Sequence, residues 1–311
     1  MTGHPLPLNH SDEWQDCIMD TSIPGAARAR IGIIGGSGTY RLPGATVRSI
    51  VDVETPYGPT SAPVTLADLA GQSVAFLPRH GGDHSVPPQK INYRANLWAL
   101  KSLGVEAVLS SSAVGGLREG FGPETFVLTD QLIDRTWGRT DTFFDGSIAD
   151  GVAPAGVQHL PASEPFCPTL RSHLAAALAG QNLSFVPQGT VVVINGPRFS
   201  TKAESAWYVT GGADIISMTQ YPEPVLAAEL NMGFANLAFV TDSDTGHDGS
   251  EPVTADAVFA RLKNAQHSVL AVLEATVAAI GADYSPRPLM DQVAVARIMA
   301  LPVVREAVTT R

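Results

Sequence analysis

The amino-acid sequence predicts an α/β fold: one domain with a central β-sheet, mostly parallel or mixed, flanked by helices. Three observations carry this. Between residues 31 and 281, short apolar runs alternate with longer stretches of helical periodicity. Each run ends in small, hydroxyl or charged residues, so groups able to hold a ligand collect along one rim of the sheet. The 29 glycines and 23 prolines are scattered, which fits many short connections and not low-complexity sequence.

Residues 1–30 hold His4, His10, Asp12, Glu13, Asp16 and Asp20 without an apolar stretch, and read as a weakly ordered extension, not a secretory signal. Ile31-Gly-Ile-Ile34 is the first strand. It opens into Gly35-Gly-Ser-Gly38, a turn with little side-chain cover that bares backbone N–H groups to a ligand. The dinucleotide pattern fails here because Arg41 stands where glycine is needed, and the P-loop fails for want of Gly-Lys-Ser/Thr. A plain strand-turn is the alternative. Val74-Ala-Phe-Leu77 leads into Pro78-Arg-His-Gly-Gly-Asp-His84, where Arg79 and His80 at a strand end suit an anion. Asn92 caps a helix that carries Leu97, Leu100 and Leu103 on one face and stops at Gly104. A strand over residues 105–109 opens into Ser110-Ser-Ser-Ala-Val-Gly-Gly116.

The chain continues through Phe126-Val-Leu128 and Asp130 to Thr136, then a loop with Gly146, Gly151 and Gly156, then a helix over residues 170–178. Val191-Val-Val-Ile194 is a strand leading to Asn195-Gly-Pro-Arg-Phe-Ser200, and Thr201 with Glu204 has capping-box spacing. Asp214-Ile-Ile216 is a strand reaching Ser217-Met-Thr219 before Pro222 and Glu223 start a helix. A further strand ends in Phe239-Val-Thr-Asp-Ser-Asp-Thr-Gly246. From Thr254 a long helix sets Val258, Leu262, Leu270, Leu273 and Val277 on one face and closes at Gly281. Tyr284-Ser-Pro-Arg-Pro288 reads as a hinge to a short helix within residues 290–304. The tail of residues 282–311 packs on this subunit or a neighbour.

A net charge of −10, without any Lys/Arg cluster, makes nucleic acid and anionic membrane poor partners. An anionic ligand must then be held by a local site. Cys17 and Cys167 show neither metal spacing nor a disulfide framework, which fits a reducing cytoplasm. No run reaches the roughly 20 apolar residues of a membrane helix. Without a metal cluster or a flavin or nicotinamide pattern, no cofactor is expected.

Asp242 and Asp244 stand two residues apart where an apolar run ends, a spacing that puts both side chains on one side of an extended chain. Two carboxylates in one place repel, so one stays protonated and becomes a donor. Such a pair can hold an adenine base, donating to a ring nitrogen and accepting from the exocyclic amine. Local turn bonds are the alternative.

Taken together, Gly32-Ile-Ile-Gly-Gly-Ser-Gly38, Arg79-His-Gly81, Asn92-Tyr-Arg-Ala-Asn-Leu-Trp98, Gly196-Pro-Arg-Phe-Ser200, Met218-Thr219 with Pro222-Glu223, and Thr241-Asp-Ser-Asp244 resemble the 5′-methylthioadenosine phosphorylases of the trimeric purine nucleoside phosphorylase family. The resemblance covers roughly residues 31–281. It implies a nucleoside phosphorylase-like fold, a homotrimer, and phosphorolysis of 5′-methylthioadenosine with phosphate as cosubstrate. It implies a phosphate site of Ser37, Arg79, His80, Ser112 and Thr219. Ala113 and Met218 would border the ribose, Phe199 the base, and Ser200, Asp242 and Asp244 the purine edge, with the two aspartates catalytic. His84, His159, Val258 and Phe259 would surround the 5′ substituent, His159 coming from this subunit or a neighbour. Read from structure alone, Val258 and Phe259 are ordinary core positions of the long helix.

Three positions depart from the family pattern. Asn195 stands where glutamate is usual, next to the purine loop. Phe259 replaces a leucine and Ala255 a valine, which bears on the 5′ group more than on the reaction. Phosphorolysis of 6-oxopurine nucleosides, a 5′-halo-5′-deoxyadenosine substrate, and a nucleoside-binding protein without turnover are the rival readings. The Asp242 position, where asparagine serves 6-oxopurines in that family, favours adenine.

Overall fold

The computed structural model describes residues 28–146 and 156–303, and these form an eleven-stranded mixed sheet covered by helices on both faces. The expectation for residues 1–27, like Gly151 and residues 304–311, lies outside the described residues. Residues 28–30 are not loose. The Ala29 N–H donates to Leu103 O, and Arg30 pairs with Glu106 and donates to the carbonyls of Ala282 and Tyr284.

The sheet is organised around β5 (Ala107–Gly116). β1 (Ile31–Gly35) lies parallel between β5 and β4 (Gln72–Pro78) and is buried throughout, which is why its apolar residues run on without alternation. Beyond β4 the sheet turns antiparallel through β3 (Val64–Leu69) and β2 (Thr46–Val51), whose exposed residues make it an edge strand. On the other side come β10 (Ile215–Ser217), β9 (Thr190–Ile194) and β7 (Gln131–Arg135). A branch leaves β5 through β11 (Gly233–Asp242), then β6 (Phe126–Leu128) and β8 (Phe185–Val186).

β5 is longer than the sequence suggests. It runs on through Ser110–Ser112 to Gly116, because β11 pairs with it from Ala107 to Gly115 and hydrogen bonds, not apolar side chains, hold those serines in the sheet. β1 pairs with β5 only as far as Ser110, and β10 joins it only at Gly115 and Gly116. Residues 111–114 therefore face a gap in the sheet between β1 and β10. Strand divergence of this kind is where open sheets accept ligands.

One face is covered by α2 (Pro168–Gly180) and α5 (Ala255–Ala279), packed on β1, β5 and β11. The buried stripe of α5 takes Val269 in place of the expected Leu270, which is only half-buried. α1 (Tyr93–Ser102), α4 (Glu223–Glu229) and α6 (Gln292–Met299) cover the other face, and α3 (Lys202–Thr210) lies over β9 and β10. Two helix starts are capped as the sequence predicts, Asn92 accepting from Ala95 N and Thr201 and Glu204 forming a capping box, and in the structure Thr254 also accepts from Ala257 N at the start of α5. The described part of the tail, residues 282–303, packs on its own chain, since Trp98 Nε1 donates to Ile298 O and Val295 and Ile298 are buried. Tyr284 is no hinge residue: it is buried beside Cys167.

Candidate active site

The gap beside β5 is a cavity, and its floor is a buried polar network. Gly35 ends β1 and Gly36 follows it, and at Gly36 a Cβ would lie 2.3 Å from Ser111 O and 2.9 Å from Arg79 Nη1, so glycine lets the guanidinium pass beneath the turn. Arg79, at the end of β4, is fully buried. Its Nε and Nη2 reach the Glu223 carboxylate at 2.5 and 2.9 Å, its Nη1 donates to Ser111 O at 2.9 Å, and its Nη2 donates also to Ser110 Oγ. Four of an arginine's five N–H groups are thus used inside the protein. The fork expected to grip an anion grips Glu223 instead, because a cation this deeply buried needs a charge partner. One N–H remains for a ligand.

The network continues into β11. Asn236 donates to Ser110 Oγ at 3.1 Å and accepts from Ser112 Oγ at 3.0 Å, while Gln220 Nε2 donates to Ser112 at 3.0 Å. His80 follows Arg79. Its Nδ1 lies 2.9 Å from Val86 O, a carbonyl that can only accept, so Nδ1 carries the proton. Burial, reinforced by the Arg79 charge, lowers its pKa to about 4. At neutral pH His80 is therefore an uncharged ring with Nε2 as acceptor. Ser37 and Thr219 complete this side of the cavity.

The other side is the end of β11. Two residues, Thr241 and Asp242, stand against Gly115 alone, a bulge of the kind that re-aims a side chain. Asp242 Oδ2 accepts from Thr241 Oγ1 at 2.7 Å and Oδ1 from Asp244 N at 2.9 Å. Asp244 has a left-handed φ of 47° and accepts from Ser205 Oγ. The Asp244 backbone joins the Asp242 carboxylate through this turn, and both side chains line the cavity, so the turn bond and the shared cavity wall are both present. Burial raises both pKa values above the usual carboxylate range, and the Asp244 charge adds to the rise at Asp242. A Cβ at position 115 would come within 2.9 Å of Asp242 Oδ1, so glycine there gives the carboxylate its place.

Near this pair, Ser200 Oγ is buried without a hydrogen-bond partner, and Phe199 is 39% exposed. At a third corner the His84 ring lies 4.4 Å from that of His80 and edge-on to Phe259 at 5.4 Å, with Nδ1 3.0 Å from the Tyr40 hydroxyl. Val258 and Phe259 border the cavity, and Phe259 is 43% exposed rather than core. Ala255 lines the same corner.

Of the residues singled out in the sequence, Ser37, Arg79, His80, His84, Ser112, Ala113, Phe199, Ser200, Met218, Thr219, Asp242, Asp244, Val258 and Phe259 all line this one cavity. His159 does not; it is exposed elsewhere on this subunit. Sequence reasoning missed Ser110, Ser205, Gln220 and Asn236. Only Asn236 leaves a signal, as the lone amide in the apolar run of β11.

A model of the phosphorylase superfamily matches residues 30–278. The S-methyl-5′-thioadenosine phosphorylase of Mycolicibacterium smegmatis is 49% identical over 75% of this chain and 84% of its own length. The purine nucleoside phosphorylase of Streptomyces coelicolor is 47% identical over 74% and 82%. The solved methylthioadenosine phosphorylase of Schistosoma mansoni in complex with adenine superposes with a TM-score of 0.78 at 35% identity, covering 88% of this chain and 96% of that one. With the match running from before β1 to the end of α5 and so taking in every strand that borders the cavity, this chain belongs to the phosphorylase superfamily.

Proposed function

We propose that this chain catalyses phosphorolysis of 5′-methylthioadenosine, or a close 5′-modified adenosine, to adenine and the 5-substituted ribose 1-phosphate. The carrying observation is a single cavity that joins a buried Arg79–Ser112 network with a carboxylate pair biased toward its protonated form. Relatives named for this reaction, including the Mycolicibacterium smegmatis protein, support the same reading.

In this reading phosphate sits against Ser37, Arg79, His80, Ser112 and Thr219. Because Glu223 offsets the Arg79 charge and His80 is neutral, hydroxyl and backbone donors carry much of the binding, and His80 Nε2 accepts a hydrogen bond from a P–OH group. Phosphate attacks the anomeric carbon while the sugar passes through an oxocarbenium-like state. Asp242, protonated, donates to purine N7 as adenine leaves, and Asp244 takes the amine side. Ala113 and Met218 border the ribose, Phe199 and Ser200 the base, and His84, Val258 and Phe259 the 5′ group.

Phosphate is the cosubstrate and no cofactor is invoked. The phosphorylase unit is residues 31–281, with the tail packed on it. Among the described residues no helix is long and apolar enough to cross a membrane. Two cysteines without a disulfide framework fit a cytoplasmic protein, the family resemblance implies a homotrimer, and the exposed Phe199 and Phe259 beside the cavity leave room for a neighbour, through His159 or otherwise, to close the site.

The relative named purine nucleoside phosphorylase makes inosine the informative competitor. With methylthioadenosine, free adenine is expected only when phosphate is added. Faster cleavage of inosine would overturn the adenine assignment, and release without phosphate would overturn phosphorolysis.

A further inference from the structure

Arg139 lies outside the cavity, in the loop after β7, yet it holds two of the cavity's walls. Its Nη2 is 2.8 Å from Met218 O, 3.2 Å from Asn195 O and 3.3 Å from Ile194 O, and its Nη1 donates to Tyr221 O and lies 3.3 Å from the Tyr93 hydroxyl. The guanidinium also lies over the Tyr93 ring, 5.3 Å from its centroid. These partners are carbonyls and a phenol, and the buried Nε has none. Ordinarily a buried guanidinium is placed against a carboxylate, as Arg79 is. Here the cation is committed to the negative ends of four peptide groups.

Those four carbonyls belong to two separate segments. Ile194 ends β9 and Asn195 opens the loop with Phe199 and Ser200, whereas Met218 and Tyr221 flank Thr219 after β10. We infer that Arg139 is a positioning residue that clamps the base-binding loop to the ribose- and phosphate-binding turn. The inference rests on the division of the cavity proposed above. A planar fork with five fixed donors can bridge both segments at once; lysine, with three donors on a flexible stem, can do so only in part.

The test compares Arg139→Met and Arg139→Lys with wild type. Michaelis constants are measured separately for methylthioadenosine and phosphate, and amide hydrogen exchange is followed in residues 194–200 and 217–221 without substrate. Arg139→Met should raise both constants by about tenfold or more, with Arg139→Lys in between. Exchange in both segments should quicken while β1 keeps its protection. Both constants within twofold of wild type, with loss confined to kcat, would mean fewer folded molecules and no clamp. A rise in only one constant, or faster exchange in only one segment, would also overturn it. If Arg139→Met does not fold, Arg139→Lys carries the test. Wild type inert toward methylthioadenosine and phosphate would refute the functional reading, and the exchange data would still decide the clamp.

Discussion

The two sides of the cavity are finished to different degrees. On the Arg79 side, side chains from the end of β4, from β5, β11 and α4 complete one another; one Arg79 N–H and His80 Nε2 stay open for a ligand, and Gln220 Oε1 is buried without a partner. On the nucleoside side, the hydroxyl of Ser200 has no partner, and Phe199 and, at the 5′ corner, Phe259 stand more than a third exposed. The first side is rigid strand scaffold, preorganised before any ligand arrives. Polar groups on the second are satisfied by what binds there. On the proposed division of the cavity, affinity for phosphate is built into the fold, while discrimination among nucleosides is left to loops and to the start of α5, where Phe259 stands partly exposed and can act without disturbing the core.

The largest effect expected is from breaking the Arg79–Glu223 pair. Removing one partner of a buried ion pair typically costs about 3–5 kcal/mol, because the other charge is left uncompensated. Glu223→Gln should lower the unfolding free energy measured by urea denaturation by an amount in that range and abolish saturation by phosphate. A shift below about 1 kcal/mol would show that this side is not held together by the pair.

Asp242→Asn, on the base side, should do the reverse: a small change in stability and a large loss of rate. General acid assistance is typically worth about 10²–10⁴-fold, and adenine release should fall by that factor. Because burial raises the Asp242 pKa, the folded chain holds this proton more tightly than the unfolded chain does. Wild-type stability accordingly declines as pH rises from the ordinary carboxylate range through the raised value, then levels off. The amide has no such decline. It should match wild type in acid and exceed it near neutrality, since Asn Oδ1 still accepts from Asp244 N and its amide can donate to Thr241. Near-normal turnover would remove Asp242 from the acid role.

The scaffold was legible in the sequence because its signals are local. Apolar runs marked β1, β4 and β9, and caps at Asn92 and Thr201 marked helix starts, since a cap is a bond between residues three apart. The extension of β5 through Ser110–Ser112 was not, because serine gives no apolar signal and the strand is fixed by pairing with residues more than a hundred positions away. The candidate site was legible where side chains sit at strand ends. It was opaque where one polar group serves another across the fold: nothing near Gln220 or Arg139 announces Ser112 or the carbonyls of Ile194 and Met218. Nor could spacing show that Asp244 meets Asp242 through a left-handed turn.

The sharpest comparison deletes the same hydroxyl on each side. Ser112 Oγ donates to Asn236 and accepts from Gln220, so Ser112→Ala leaves two buried amide atoms unpaired. That should cost about 1–3 kcal/mol of stability in the ligand-free protein and raise the Michaelis constant for phosphate. Ser200 Oγ has no partner to abandon. Ser200→Ala should therefore leave the denaturation midpoint within about 0.5 kcal/mol of wild type. Its effect should appear only when a nucleoside binds, as a loss of about 0.5–1.5 kcal/mol, or roughly two- to tenfold in the nucleoside constant, with that for phosphate unchanged. Equal loss of stability in the two variants would mean that the base side is as complete as the Arg79 side, and the contrast between a finished and a waiting half would fall.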